Sequence, residues 1–563
     1  MQVNDSHVRG ATNVPLIADT IGAYFDRVCE RHADNEALVV VHQRVRWTYR
    51  ELKLRVDYLA AGLLRLGLKP GERIGIWSQN CAEWAVTQFA TAKAGLILVN
   101  INPAYRSGEL EYALNTVGCR ALILAPGFKT SDYLAMLHEV APEIAVCAPG
   151  YLRSIRLPAL RLVIRLGGDA TAGMLNFDDL LAPASARERR RLTTVGATLS
   201  ADQPVNIQFT SGTTGAPKGA TLTQHNLLNN GYFVAEAMQF TAADRLCIPV
   251  PLYHCFGMVL GNLACMTHSA AMVYPGEGFD AGAVLEAVQV ERCTALHGVP
   301  TMFIATLDHP DFGRYDLSSL RTGIMAGAPC PVEVMKRVME RMSMRQVTIG
   351  YGMTETSPIS FQRSVDDPAA RRVSTVGRIQ PHVEVKIVDE QGRTVPRGET
   401  GEVLTRGYSV MRGYWNDAER TAKAIDADGW MHTGDLATID DEGYCKIVGR
   451  CKDLVIRGGE NIYPREVEEF LYRHPKIRDV QCVGVPDAKY GEELIACIIP
   501  RPGVEVDAEE IREFCRGRIA HYKIPRYVTM VDSFPMTVTG KIQKFALSRQ
   551  VTTRLGLGLE KAA

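Results

Sequence analysis

A chain of 563 residues is too long for one hydrophobic core and must divide into at least two folded units. Lys+Arg and Asp+Glu both number 63, which removes the basic excess of a nucleic-acid binder and the acidic tail that would seek a basic partner. Apolar content of 46% with 22% charged residues belongs to an ordinary globular protein, and no window approaches the ~18 apolar residues of a membrane span.

The N-terminal stretch up to Leu16 lacks an apolar core segment, so no secretory signal is read there. Fourteen cysteines are scattered without a C-x-x-C pair or His-rich spacing, which points to reduced thiols in a cytoplasmic compartment rather than to zinc. Residues 37–41 read as a strand, and Thr48-Tyr49-Arg50-Glu51 is a capping box. The helix it opens carries Leu52, Val56, Leu59, Leu63 and Leu64 on one face until Gly67 stops it. Residues 73–77, 96–99, 121–125 and 162–166 are further strands with helical patterns between most of them, which implies βαβ units and a largely parallel sheet. Residues 145–200 hold Pro-rich and Arg-rich pieces and read as a surface connection. Arg187, Arg189, Arg190 and Arg191 there read as a solvated helix face.

A β-like run at 205–209 leads into Thr210-Ser211-Gly212-Thr213-Thr214-Gly215-Ala216-Pro217-Lys218-Gly219. Glycines let backbone N–H groups turn inward as an anion nest, hydroxyls donate further bonds, and the Lys218 ammonium adds a point charge. That is a loop fit for a polyphosphate. It is not the P-loop G-x-x-x-x-G-K-[ST], because Pro217 stands five residues after Gly212 and Gly219 follows Lys218. By itself the stretch is equally a mobile Gly/Thr-rich surface loop.

The α/β rhythm runs on to about residue 350. Near 380 the pattern changes to strict alternation, Val383-Glu384-Val385-Lys386-Ile387, with a turn at 390–393 and a run at 402–405, and a smaller antiparallel region is expected. A second change falls at Gly449-Arg450-Cys451-Lys452-Asp453. Beyond it Pro464 opens a helix, strands are read at 480–485, 494–499 and 527–531, and a helix at 507–520. The expected architecture is therefore α/β: a large domain over 1–450, of mainly parallel sheets layered with helices plus the antiparallel region, and a small α+β domain over 451–563.

Four more stretches have compositions that packing does not explain. Tyr351-Gly352-Met353-Thr354-Glu355 combines a ring, a hydroxyl and a carboxylate, groups suited to a base, a phosphate and Mg²⁺. Gly327, Ala328 and Pro329 make a flat turn for a planar group. Thr433-Gly434-Asp435 suits vicinal hydroxyls, and Arg450 adds a cation. Pro535-Met536-Thr537-Val538-Thr539-Gly540-Lys541 sets a lysine at a loop apex. Taken singly, each is also a turn, a cap, a surface ion pair or a solvated lysine.

In order and wording, these stretches resemble the adenylate-forming superfamily of acyl-CoA synthetases, luciferases and peptide-synthetase adenylation domains, from about Ile21 to Phe545. The branch they look most like is the medium-chain fatty acyl-CoA synthetases, through Asn100 to Tyr105, Ile456 to Pro464 and Thr539 to Phe545. The resemblance implies ATP, Mg²⁺ and coenzyme A as cofactor and co-substrates. A carboxylate is converted to acyl-AMP with loss of pyrophosphate, then passed to the CoA thiol. It assigns Lys541 to the reacting carboxylate and α-phosphate, Thr354 and Thr210 to phosphate oxygens, and Glu355 with Thr210 to Mg²⁺. Ser211, Gly212, Thr213, Thr214, Gly215 and Lys218 become the ATP phosphate loop. Gly327, Ala328 and Pro329 with Tyr351 and Gly352 hold adenine, and Asp435 and Arg450 hold ribose. Lys452 matches a hinge about which the small domain rotates, bringing Gly458 and Gly459 to CoA.

The physical need for the lysine and the metal is plain: a carboxylate ~4 Å from an anionic phosphate costs roughly 4 kcal/mol at an effective dielectric of ~20. His254 matches the stretch that lines the carboxylate entrance. No acid lies between Pro249 and Glu277, as suits a substrate without an α-amine. Met258, Val259, Leu260, Val299, Met302 and Phe303 are candidates for an apolar tunnel. The expected activity is thus ATP-dependent activation of a medium-chain or related apolar acid. Alternatives are an acyl-AMP ligase loading a carrier protein, an aryl-CoA ligase, and a non-catalytic acyl- or nucleotide-binding relative. Partners are the acid, ATP and CoA, with no nucleic acid, no transmembrane segment, and a homodimer left open.

Overall fold

The computed structural model describes residues 5–212, 215–537 and 539–557, with the side chains of 211–216 and 369 left aside. Three large sheets build the part before residue 451. One has nine strands, parallel through its middle (Gln346–Gly352, Thr322–Ala326, Ala295–Leu296, Arg245–Cys247, Ala271–Tyr274, Glu36–Val40) and antiparallel at both ends. A second has eight strands, parallel from Leu175–Asn176 through Leu162–Arg165, Ala121–Leu124, Arg73–Trp77 and Ile97–Asn100 to Pro204–Gly212. The third has five antiparallel strands, among them Val383–Val388, Gly401–Gly407, Met431–Ile439 and Cys445–Arg450.

The parallel strands are short apolar runs because helices cover both of their faces. Helix Tyr49–Arg65 shows how one is fixed: Thr48 and Glu51 cap each other's backbone N–H reciprocally. Leu52, Val56, Leu59, Leu63 and Leu64 on its inner face are all at most 1% exposed, and full burial of such a side chain contributes roughly 1.5–3 kcal/mol. The expected strands at 73–77 and 121–125 appear as Arg73–Trp77 and Ala121–Leu124.

Beyond residue 451, Val455–Arg457, Glu460–Ile462, Ile477–Asp487, Gly491–Pro500 and Tyr527–Met530 form a sheet of their own. Period-two alternation gives it two cores. Leu494, Ala496 and Ile498 face helices Pro464–Leu471 and Ala508–Cys515, while Ile495, Cys497 and Ile499 face helix Lys544–Arg554.

Three expectations change. The Gly/Thr-rich stretch is not a free loop: Pro204–Gly212 and Gly215–Thr223 pair as an antiparallel hairpin, with Thr210 opposite Lys218 and Gly212 opposite Gly215. The reading of 145–200 as a surface connection fails over its middle, where the strand also read at 162–166 appears as Leu162–Arg165, an inner strand of the eight-stranded sheet. Within that stretch helix Ala186–Thr198 buries only Leu192, so its arginines do lie on a solvated face. The helix expected at 507–520 stops at Cys515, and Gly517 follows with φ +69°.

Candidate active site

Strand ends and edge hairpins bring the proposed residues to one place. Strand Gln346–Gly352 delivers Tyr351 and Gly352, and the 3₁₀ turn Thr354–Thr356 that follows carries Thr354 and Glu355, 7% and 5% exposed. Glu355 Oε1 accepts from Thr210 Oγ1 at 3.0 Å and from the Tyr414 hydroxyl at 2.9 Å. Lys218 Nζ donates to the same Tyr414 hydroxyl at 3.1 Å and stands 4.4 Å from the ring centroid. Thr210 and Lys218 are cross-strand partners in the hairpin, so the hydroxyl and the ammonium share a strand level.

A second group lies on the five-stranded sheet. Asp435 and Arg450 are paired across neighbouring strands, and Arg450 Nε donates to Asp435 Oδ1 at 2.7 Å. The Tyr351 hydroxyl donates to Asp435 Oδ2 at 2.7 Å. Each carboxylate oxygen keeps a second lone pair for a further donor such as a sugar hydroxyl.

The lysine of the C-terminal part reaches into this region. Lys541 lines a small cavity with Val250, Pro251, His254, Phe256 and Val299. Two glycines make the approach possible. A Cβ on Gly327 (φ +85°) would lie 3.3 Å from Lys541 Cε, and one on Gly540 (φ +78°) would lie 3.0 Å from Val299 Cγ2. The Thr301 hydroxyl donates to the Gly540 carbonyl at 3.1 Å and fixes the loop. Burial pushes the Lys541 ammonium down from its usual range, against the fields of Cys255, Glu355 and Asp435. The same burial, with the Lys541 charge beside it, pushes His254 down to about 3, so the imidazole stays neutral. His254 Nδ1 accepts from the Phe256 N–H at 3.1 Å and caps the short helix Cys255–Gly257. That helix runs directly into a π-helical turn, Met258–Leu263.

A cavity of about 280 Å³ opens alongside, with Pro251, Tyr253, Met302, Met536 and Gly540 in its walls. Of the six residues expected to form an apolar tunnel, Val299 lines the small cavity and Met302 the larger one. Met258, Val259, Leu260 and Phe303 line neither of these two and are packed in the core, which their near-complete burial explains.

Other proposed residues stand elsewhere. Gly458 and Gly459 form the exposed turn of the hairpin Val455–Arg457/Glu460–Ile462, where the Gly458 N–H donates to Tyr490 O. Lys452 lies exposed in the turn between Cys445–Arg450 and Val455–Arg457. Ala328 and Pro329 follow strand Thr322–Ala326 beside Gly327. Thr213 and Thr214 lie outside the described residues; Gly212 and Gly215 are described by their backbone pairing, and Ser211 by its place in strand Pro204–Gly212, at an irregularity of the register.

Glu355 fits a single-carboxylate magnesium site. Its Oε1 is held by two donors, while Oε2 accepts no hydrogen bond among the described residues. Mg²⁺ bound with a nucleotide characteristically takes one or two carboxylate oxygens, phosphates and waters. Among the described residues no group of three or more His, Cys, Asp or Glu could form an all-protein metal cage. Tyr414 was not singled out from the sequence. Gly413-Tyr414-Trp415 has no local mark of function, and only the pairing of Gly413–Tyr414 with Gly215–Thr223 brings the phenol to Glu355.

Comparisons with known proteins identify the family of the chain. The model of the AMP-binding enzyme family matches residues 25–415, and that of the AMP-binding enzyme C-terminal domain matches 466–541. The chain is 48% identical over 543 residues to the putative acyl-CoA synthetase YngI of Bacillus subtilis, covering 96% of this chain and 99% of that one. It is 44% identical over 558 residues to the mitochondrial medium-chain acyl-CoA ligase ACSF2 of Homo sapiens, covering 98% and 91%. The crystal structure of the anthranilate CoA ligase AuaEII with anthranoyl-AMP superposes with a TM-score of 0.86 at 27% identity, covering 97% of this chain and 99% of that one.

Proposed function

The chain belongs to the AMP-binding enzyme family, and from that premise we propose an acyl-CoA synthetase that activates a medium-chain or related apolar carboxylic acid. The observation that carries this reading is Lys541. A lysine from the C-terminal part sits in one cavity with His254 and within the fields of Glu355, Asp435 and Arg450.

In this reading Asp435 and Arg450 take the ribose hydroxyls. Tyr351, with Gly327, Ala328 and Pro329, flanks the base, and Thr210, Thr354 and Lys218 meet phosphate oxygens. Glu355 and Thr210 would hold Mg²⁺, which supplies positive charge to the phosphates when bound. Lys541 bridges the acid and the α-phosphate. Its charge favours a transition state in which two anionic groups converge, and burial makes that charge act in a low dielectric. The carboxylate oxygen attacks the α-phosphorus, pyrophosphate leaves, and the CoA thiolate then displaces AMP from the acyl carbon. Neutral His254 borders the acid's entrance without adding charge.

We further place the domain boundary at Arg450/Cys451, with Lys452 as hinge and the Gly458–Gly459 turn as the segment that meets CoA after rotation. Among the described residues no helix is long and apolar enough to cross a membrane, and all fourteen cysteines are free. Both suit the cytoplasmic location we propose, although the ACSF2 relatives are named mitochondrial.

The test is acid-dependent pyrophosphate release over straight-chain acids of increasing length and a set of benzoates, with and without CoA. Release that peaks at medium chains, with CoA thioester formed, supports the reading. A peak on benzoates favours the aryl-CoA reading, which the likeness to AuaEII supports. Acid-dependent release with no CoA thioester shifts the acceptor to a carrier protein. No acid-dependent release overturns the proposal.

A further inference from the structure

Lys218 and Glu355 carry opposite charges in one site, yet no direct ion pair joins them among the described residues. Between them stands the hydroxyl of Tyr414, which accepts from Lys218 Nζ at 3.1 Å and donates to Glu355 Oε1 at 2.9 Å. The phenol itself is firmly placed. Tyr414 is 7% exposed, on the strand Gly413–Tyr414, and pairs with Ala220 of the neighbouring strand Gly215–Thr223. Its N–H donates to Thr421 Oγ1 at 2.9 Å, and the next N–H, of Trp415, donates to Gly219 O at 2.8 Å. Its ring gives the Lys218 ammonium a face to rest on at 4.4 Å.

Direct pairing would cost both groups their work. A carboxylate bonded to a lysine has one oxygen and part of its charge already spent. A lysine so bonded must break a charge-assisted bond before it can reach a phosphate. The hydroxyl avoids both outcomes. It joins Thr210 in holding Oε1, while Oε2 accepts no hydrogen bond among the described residues, and it offers Lys218 only a neutral acceptor.

We infer that Tyr414 is a positioning residue that keeps Lys218 off Glu355, so that Glu355 stays available to the metal of a metal–nucleotide substrate and Lys218 to its terminal phosphates. The inference rests on the proposed role of Glu355 at the metal, and goes beyond it by naming the group that keeps that carboxylate free.

Tyr414→Phe removes one oxygen and retains the ring. The measurement is ATP binding to the full chain by calorimetry, with Mg²⁺ titrated at fixed nucleotide, beside the urea midpoint of each ligand-free variant. Tyr414→Phe is expected to raise the half-saturating Mg²⁺ concentration about tenfold, the scale of one hydrogen bond to a charged group. Metal-free ATP binding should weaken as well, because a Lys218 drawn onto Glu355 no longer reaches the terminal phosphates. The decisive variant is Tyr414→Phe/Lys218→Met. If the lysine collapses onto Glu355 once the hydroxyl is gone, removing the lysine restores most of the lost Mg²⁺ affinity, a sign reversal that simple loss of packing cannot give.

Glu355→Gln separates the two levels of the reading. If it weakens Mg²⁺ dependence while Tyr414→Phe does not, the role of Tyr414 is overturned and that of Glu355 stands. The role of Tyr414 is likewise overturned if Lys218→Met fails to rescue Tyr414→Phe. If Glu355→Gln leaves Mg²⁺ dependence unchanged, the metal assignment fails, and the inference falls with it.

Discussion

At the scale of single residues, charge placement separates the groups that carry chemistry from those that hold it. Lys541 is kept short of its ordinary basicity by burial, so its charge is costly until two anions arrive to repay it. Removing it leaves the acid facing the α-phosphate without a counter-charge. Lys541→Ala is expected to slow acid-dependent pyrophosphate release by about 10²–10³, as for the loss of one preorganised charge-stabilising group. CoA thioester formation from supplied acyl-AMP should stay within a few-fold, because no phosphate is attacked in that step. Equal loss in both half-reactions would refute the assignment. Lys541, Glu355 and Asp435 were legible from sequence because each stands in a short run with glycines and hydroxyls that packing does not require. Tyr414 was not, because an aromatic at a strand edge is ordinary until its hydroxyl meets a carboxylate 59 residues away in sequence.

At the scale of elements, His254 serves two ends that its sequence position does not separate. It borders the Lys541 cavity, and its Nδ1 caps the helix Cys255–Gly257. A lost cap costs about 1 kcal/mol, and Asn is as good a cap as any residue. His254→Ala is therefore expected to lose both stability and adenylation rate, and His254→Asn to recover the stability alone. Protonation also removes the capping acceptor. Because burial and the Lys541 charge hold the folded-state pKa at about 3 against an ordinary 6.5, the stability that the neutral buried ring contributes is complete above 6.5 and is lost as pH falls towards 3. Wild type should thus lose more unfolding free energy than His254→Asn between pH 7 and pH 4 in urea titrations, and parallel losses would show that the ring is not held neutral by burial beside Lys541. Strands and capped helices were readable at this scale because period and capping chemistry are local. The hairpin Pro204–Gly212/Gly215–Thr223 was not, because Gly-, Ser- and Thr-rich sequence marks a turn as well as a strand held by its neighbours, here Ile97–Asn100 and Gly413–Tyr414.

At the scale of the whole molecule, the C-terminal part meets the large domain through apolar contacts, with Gly540 against Val299 and Met302, and through polar ones. The Thr301 hydroxyl reaches the Gly540 carbonyl at 3.1 Å, and the Val332 N–H donates to Glu469 Oε2 at 3.2 Å, so a small-domain carboxylate caps the large-domain helix Val332–Arg341. Burial raises the Glu469 pKa, so holding this carboxylate charged in the contact is itself unfavourable. The proposed two-step reaction needs this contact to open, because in it Lys541 withdraws before a thiol approaches the acyl carbon. The Gly458–Gly459 turn, exposed in this arrangement, becomes useful only after such a movement. The rotation we propose needs a backbone dihedral to change in the turn that holds Lys452. Proline there would fix φ near −65° and bar Cys451 from the helical region. Lys452→Pro is therefore expected to leave acid-dependent pyrophosphate release within about twofold, while overall thioester formation falls at least about tenfold, an added barrier of roughly 1.4 kcal/mol or more. Single-turnover measurement of both steps distinguishes this from a general loss of activity. A thioester rate equal to wild type would mean that the chain turns about some other residue, or not at all.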